Sequence, residues 1–422
     1  MEELIRLAEQ TLQNLLKQEG VAKAQCYLER IERTELRFSL NEEPYMMRTV
    51  VDELSEMTAT DAQRRVGRLT VTSVEPCVLE ESCGECAAFM RDAKEDPDFD
   101  LAEVTKNGTF TAGDLECDPK KLYDYVLQAR ETMPARRQKD DFSQNTHFSK
   151  ISVLVNSNGV RLAQHIGWYE IEGTKVRDLS VDIRALQTCE KPYDEKKWED
   201  VEAEQLAEKF EGTVLLEPFG IFHLWWLTRM QMNDLPIIAG GEQKVHPWYD
   251  AIGEKRVSEK LTISENLLDP RLSAIDFFTR EGYPTQNIDF IKDGVIVGCA
   301  LSAIAARKLN RPCNAAPHDN NKSGRNVFIK PGDKPVKEIL AGIEHGLVLR
   351  SMHCSPHEDG EMAGITYGGL LIEHGEITKK VKCMLSCNFF DILNNITAIS
   401  KELHFSGEYE TPWIAFEGVF AS

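Results

Sequence analysis

The chain has 422 residues, 42% hydrophobic and 28% charged, which is enough to bury sizeable cores in two domains. A formal net charge of −20 argues against nonspecific nucleic-acid binding, because phosphate repulsion is unopposed by any basic stripe. Membrane spans of about 18 apolar residues are missing, residues 1–20 read as an amphipathic helix rather than a secretory signal, and the 11 irregularly spaced cysteines fit reduced thiols, so a cytoplasmic location is expected.

In chain order, the first predicted element is a helix over residues 2–18, with Leu4, Ile5, Leu7, Ala8, Leu12, Leu15 and Leu16 on one face and Gly20 as its stop. Alternation then predicts strands over 24–31, 34–39 and 68–74. The acidic stretch 92–100 and the polar stretch 133–145 read as exposed connections. Residues 151–155 form a strand closed by the turn Asn156-Ser157-Asn158-Gly159. The stretch 192–200 and a helix over 201–209 look like a passage into a second domain, whose first strand is 212–216. After Lys255 strand runs and hairpin turns dominate. Asp293-Gly294 joins two of them, and helices are expected at 303–309, 336–343 and 388–400, with Asn388 suited to an N-cap. The fold class expected is α+β, with an N-terminal α/β domain over 1–200 and a C-terminal antiparallel-sheet domain over 201–422.

Two clusters carry ligand-type side chains. Cys83-Gly84-Glu85-Cys86 has the spacing of a redox pair or half a zinc knuckle, and equally that of reduced cysteines at a loop or helix start. His353, Cys354, His357 and Glu358 place four potential ligands in six residues. Pro356 and Gly360 rule out a helical metal motif there, which leaves a polar loop. Phe222, Trp225, Trp226 and Met230 sit on a stretch apolar on nearly all sides, as core packing or as a partner or peptide contact.

Four motifs in order resemble one family. They are Glu281-Gly282-Tyr283-Pro284-Thr285-Gln286-Asn287 with its hairpin, Ile329-Lys330-Pro331-Gly332-Asp333, Gly369-Leu370-Leu371-Ile372-Glu373-His374-Gly375-Glu376-Ile377, and Asn388-Phe389-Phe390-Asp391-Ile392-Leu393-Asn394-Asn395-Ile396. They are similar to the C-terminal half of the TldD/PmbA family, peptidase-related proteins once called modulators of DNA gyrase. The resemblance is specific over 257–416, and upstream it rests on the order of elements and the 156–159 turn. It implies an N-terminal α/β layer and a C-terminal domain built on a large curled antiparallel sheet.

TldD-type members carry a His-Glu-x-x-x-His zinc helix completed by a cysteine in a C-terminal Cys-Gly-Lys motif. PmbA-type members, also called TldE, lack these ligands and pair with the zinc-bearing subunit. In this chain the corresponding stretch has His223 at the first ligand position, Leu224 in place of the glutamate and Thr228 in place of the second histidine. The C-terminal segment runs from Asn395 through His404 and Glu408 to Trp413 without a cysteine. One imidazole without a general base cannot make a hydrolytic zinc site.

The resemblance therefore implies a TldE-like, non-catalytic subunit of a metallopeptidase complex acting in proteolysis or peptide maturation. No catalytic residue is assigned and no cofactor is expected. The implied partners are a zinc-bearing TldD-type subunit or a second copy, and an unfolded peptide, with neither nucleic acid nor membrane. The turn of Gly282, Pro284 and Thr285 is the candidate peptide-channel element. Cys83, Cys86, His353, Cys354 and His357 are the ligands to consider should a metal bind. The alternative is a homodimeric peptide-binding protein or a hydrolase using the same scaffold without zinc.

Overall fold

Apolar residues at helical spacing fold the start of the chain into α1 (Glu2–Leu16), which buries Leu4, Ala8, Leu12 and Leu15. The computed structural model describes residues 1–39, 44–131, 142–232, 248–273, 275–314, 326–352, 354–356 and 360–422. They fall into two compact units that interleave in sequence. The first comprises Met1–Arg184, Leu267–Gln286 and Leu301–His318, and the second Ala185–Asn266, Asn287–Ala300 and Asp319–Ser422.

In the first unit, β1 (Lys23–Ser39) pairs antiparallel with β2 (Pro44–Thr60) along almost its whole length. The two strands expected over 24–31 and 34–39 are thus one. The polar run between them holds no turn former, and Glu32 and Arg33 stay in register with Val51 and Val50. There follow β3 (Val66–Val71), α2 (Pro76–Asp92), β4 (Gly108–Ala112), α3 (Pro119–Glu131), β5 (Phe142–Asn156), β6 (Arg161–Ile171) and β7 (Thr174–Val176). The described strands order as β3-β2-β1-β5-β6-β4, with β7 beside β6 and only β4–β6 parallel. Helices α1 and α2 cover one face, packing on Cys26, Leu28, Met57 and Val153. Close approach there depends on Gly67, where a Cβ would lie 2.2 Å from the Cys86 carbonyl oxygen.

Phe277, Phe278 and Tyr283 from the second segment join Tyr27, Leu154 and Leu162 in a separate apolar cluster of this unit. Arg307 donates to the carbonyls of Asp98 and Asp100 at 2.9 and 2.8 Å. The stretch 92–100 is therefore pinned, with Phe99 buried, rather than a wholly exposed connection. Most of the stretch 133–145 lies outside the described residues.

The second unit contains β8 (Glu204–Gln205), β9 (Phe210–Leu216), α4 (Ile221–Gln231), β10 (Ile263–Glu265), β11 (Ile288–Lys292), β12 (Val295–Ile296), β13 (Val327–Ile329), α5 (Val336–Ala341), β14 (His345–Leu349), β15 (Cys354–Pro356), β16 (Glu361–Glu373), β17 (Glu376–Asn388), α6 (Phe389–Asn394), β18 (Ile396–Phe405) and β19 (Tyr409–Ala421). Its described strands order as β12-β11-β10-β13-β19-β9-β14-β16-β17-β8, with β15 beside β16 and β18 beside β19. A further β17–β19 pairing, Leu385 opposite Ala421 and Ser386 opposite Phe420, bends the sheet back on itself. That closure is the curled sheet expected from the sequence.

Two expected helices change. Residues 201–209 hold no helix: their few apolar positions make no stripe, and Glu204 and Gln205 pair with Val381 and Lys382 instead. The helix expected over 388–400 stops at Asn394, because the β-branched run Ile396, Thr397, Ile399 joins β19. The Asp293-Gly294 hairpin forms as read, with φ of 48° and 79° at its two turn residues. Among the described residues no helix is long and apolar enough to cross a membrane.

Candidate functional site

Helix α4 occupies the position at which the sequence places the degenerate zinc helix. Leu224, Trp225, Thr228 and Arg229 are all buried on it. The Thr228 hydroxyl donates to the Leu224 carbonyl at 2.8 Å, so its polar atom is satisfied within the helix. Leu224 and Thr228 line a cavity of about 20 Å³ with Ile263, Ile392, Ile414 and Phe416. That volume is close to the roughly 10–15 Å³ needed by one water molecule, and its lining holds no carboxylate and no imidazole.

On the same helix, Arg229 pairs with the buried Glu265 at 3.2 Å and lies 5.3 Å from the centre of the Phe290 ring, against which Trp225 packs edge-on. His223 lies on α4, but its side chain is outside the described residues, as are those of Phe222, Trp226 and Met230. The C-terminal segment offers His404, which is buried with Nε2 3.0 Å from the Leu186 carbonyl oxygen. Burial holds its imidazole below the ordinary range. It is a core histidine of the second unit.

The turn of Gly282, Pro284 and Thr285 belongs to the first unit. Thr279 N–H donates to the Tyr283 carbonyl at 2.8 Å, Gly282 N–H to the Thr279 carbonyl at 3.0 Å, and Thr285 N–H to the Phe277 carbonyl at 3.0 Å. Gly282 has φ of +90°, and a Cβ there would come within 3.2 Å of Ala102 and Leu154 side-chain carbons. Both the backbone conformation and the space require glycine.

A partly buried charge network centred on Glu29 and Lys150 anchors this turn, and the sequence did not reveal it. Arg280 reaches Glu29 at 3.2 Å and Glu56 at 2.5 Å across the Tyr27 ring. Lys150 bonds Asp276 and sits 3.8 Å from Glu29, while Gln164 donates to Asp276 at 2.8 Å and accepts from Phe277 N–H at 2.8 Å. Burial, followed by the neighbouring Glu29 carboxylate, pushes the Tyr27 phenol well above its ordinary value, and its hydroxyl donates to Glu29 at 2.5 Å. The signal available was polar residues at inward strand positions, Gln25, Glu29, Lys150, Ser152 and Gln164, which exposed strands would carry equally well.

Cys83 and Cys86 lie well inside α2 rather than at a loop or helix start, and both are fully buried. Their thiols point to the carbonyls of Thr11 (3.7 Å) and of Met57 and Gly67 (3.6 Å each). Burial pushes Cys83 up to about 11 and Cys86 up to about 12, away from the thiolate that redox or metal chemistry needs. Cys354 is buried on β15, and burial raises its thiol to about 11. His353 and His357 lie outside the described residues. Among the described residues no group of three or more His, Cys, Asp or Glu side chains is arranged to hold a metal ion.

Residues 240–422 match the family model described as the PmbA/TldA metallopeptidase C-terminal domain. A metalloprotease of Synechocystis sp. is 30% identical over 162 residues, which cover 36% of this chain and 35% of that protein. A metalloprotease of Methanocaldococcus jannaschii is 26% identical over 168 residues, 38% of this chain and 37% of that protein. The chain thus matches little more than a third of the length of these curated relatives. The solved structure of TldE from Thermococcus kodakarensis superimposes with a TM-score of 0.76 at 21% identity, covering 100% of this chain and 99% of that one. A Bacteroides thetaiotaomicron protein named as a modulator of DNA gyrase gives 0.79 at 17% identity, again over 100% and 99%. Residues 240–422 thus carry a domain of the PmbA/TldA metallopeptidase C-terminal type, and the chain over its full length has the fold of TldE.

Proposed function

We propose that this chain is a non-catalytic, TldE-like subunit of a TldD/TldE-type metallopeptidase complex acting in proteolysis or peptide maturation. The observation that carries the reading is the small apolar cavity at α4. Where hydrolysis would need a carboxylate base and a second imidazole, Leu224 and Thr228 face isoleucine and phenylalanine side chains. A zinc-bearing partner then supplies the chemistry, and this chain helps to hold an unfolded peptide. Extended peptides bind by adding a strand to a sheet edge. In the second unit β17 pairs with β8 only at Val381 and Lys382, which leaves residues 376–380 with a backbone edge free of a described strand.

Zinc content and cleavage of an unfolded peptide test the proposal, measured on the chain alone and after mixing with a zinc-bearing family member from the same cell. The expected result is neither zinc nor cleavage alone, and cleavage or altered specificity on mixing. Stoichiometric zinc with cleavage by the isolated chain would refute it.

A further inference from the structure

The first unit holds a hydroxyl–imidazole pair that lies outside the zinc-helix position and the Gly282 turn. Ser149 on β5 and His165 on β6 bring Oγ and Nε2 to 2.8 Å, and both residues are partly exposed. Ser149 lies opposite Glu32 on β1 and opposite Gly167 on β6. The backbone around Asp114 passes directly over Gly167, where a Cβ would fall 1.7 Å from the Asp114 carbonyl oxygen. That carbonyl accepts from His147 Nε2 at 2.8 Å, which fixes it beside the serine.

The hydroxyl therefore stands at the rim of a loop, open on the side of the exposed Glu32 and closed on the side of Gly167. A serine hydroxyl becomes a useful nucleophile only beside a base able to take its proton. Burial holds His165 below the ordinary imidazole range, helped by the N-terminal amine and, less, by His147, with Glu116 acting against them, which favours the neutral ring that a general base needs.

We propose that Ser149 and His165 act as nucleophile and general base toward short-chain carboxylic esters. Ser149 Oγ attacks the ester carbonyl carbon while His165 Nε2 takes the hydroxyl proton. The bond to the alcohol oxygen breaks, the proton passes to the departing alcohol, and an acyl-serine remains. Water then attacks this acyl group with His165 as base, releasing the carboxylic acid and restoring Ser149. The loop over Gly167 limits the acyl group to a short one. The activity is independent of any zinc-bearing partner, so its test and that of the subunit reading can fail separately.

The full-length chain is treated with a small fluorophosphonate ester, which forms a stable phosphonyl-serine with loss of fluoride, and the adduct is mapped by peptide mass spectrometry. Hydrolysis of p-nitrophenyl acetate is followed in parallel. The expected result is an adduct on Ser149, its loss in Ser149→Ala, and labelling slowed about 10²–10⁴-fold in His165→Gln. An unmodified Ser149 in the wild-type chain overturns the proposal whether or not the variants fold. Labelling of His165→Gln at the wild-type rate overturns it as well.

Discussion

Lys150 shows how a single residue can hold a segment far away in sequence. Its side chain is 7% exposed, bonds Asp276 and lies near Glu29. Replacing it with methionine leaves Asp276 with only the Gln164 hydrogen bond and Glu29 with only Arg280 as its cation. Removing one partner of a buried pair costs about 3 kcal/mol and less where a partner is partly exposed, as Asp276 is, so Lys150→Met is expected to lower the unfolding free energy by about 1–3 kcal/mol, read as a lower urea midpoint with an unchanged slope. A loss below about 0.5 kcal/mol, the range of an ordinary surface change, would show that the pair contributes nothing. Glu35 gives a pH-dependent counterpart. Its carboxylate is 2% exposed and accepts from Arg48 Nε at 2.8 Å and Arg37 Nη2 at 3.1 Å. The hydrogen bond from Arg48 is the largest influence holding it below the usual carboxylate range. A depressed folded-state value means stability that is fully present above the unfolded value, about 4.3, and is lost as pH falls through the folded one. Glu35→Gln should therefore flatten the acid limb of the stability curve, read as unfolding midpoint against pH. An unaltered slope below the unfolded value would count against the assignment. Neither residue stood out in the sequence, because a charged residue in a strand signals a buried network only once its partners from distant segments are known.

For single elements, legibility followed whether the deciding physics was local. The Asp293-Gly294 and Asn156–Gly159 turns were readable because a left-handed backbone or an Asx turn selects those residues directly, and Gly159 indeed has φ of +92°. The end of α6 was not, because strand pairing of Ile396 with Phe416 outcompetes continued helix. Its start was: Asn388 Oδ1 accepts from Phe390 N–H at 3.0 Å and from Asp391 N–H at 3.4 Å, an N-cap as the sequence suggested. On a helix of six residues one cap is a large share of the local stability. Asn388→Ala should cost about 1 kcal/mol and Asn388→Asp much less, with denaturant midpoints as the measure. Equal losses in the two variants would mean that the cap oxygen is not what the helix uses. That Leu224 and Thr228 offer neither a carboxylate nor an imidazole was legible for a similar reason, since missing donor atoms are visible without any structure. The cavity that these two side chains line was not, because its walls come from elements up to about two hundred residues away in sequence.

In the whole molecule the interleaving of the units makes the strongest demand. A linear cut at residue 200 keeps every strand of the first unit's described sheet, yet it removes Leu267–Gln286 and Leu301–His318. Asp276 and Arg280 then no longer compensate Lys150, Glu29 and Glu56. Phe277, Phe278 and Tyr283 no longer cover Tyr27, Leu154 and Leu162, so buried charge and apolar surface are exposed together. Nothing local in the sequence assigns the 276–285 stretch to the first unit, because its chain neighbours on both sides, β10 and β11, pair within the second unit's sheet. A fragment of residues 1–200 should accordingly keep much of its secondary structure by far-UV circular dichroism but bind a hydrophobic dye and lose the near-UV signal of fixed aromatics. Its thermal unfolding should be broad where that of the full chain is cooperative. A fragment that instead unfolds sharply, at a midpoint near that of the full chain, would mean that the sheet of the first unit is self-sufficient and that the charge network around Lys150 adds little to its stability.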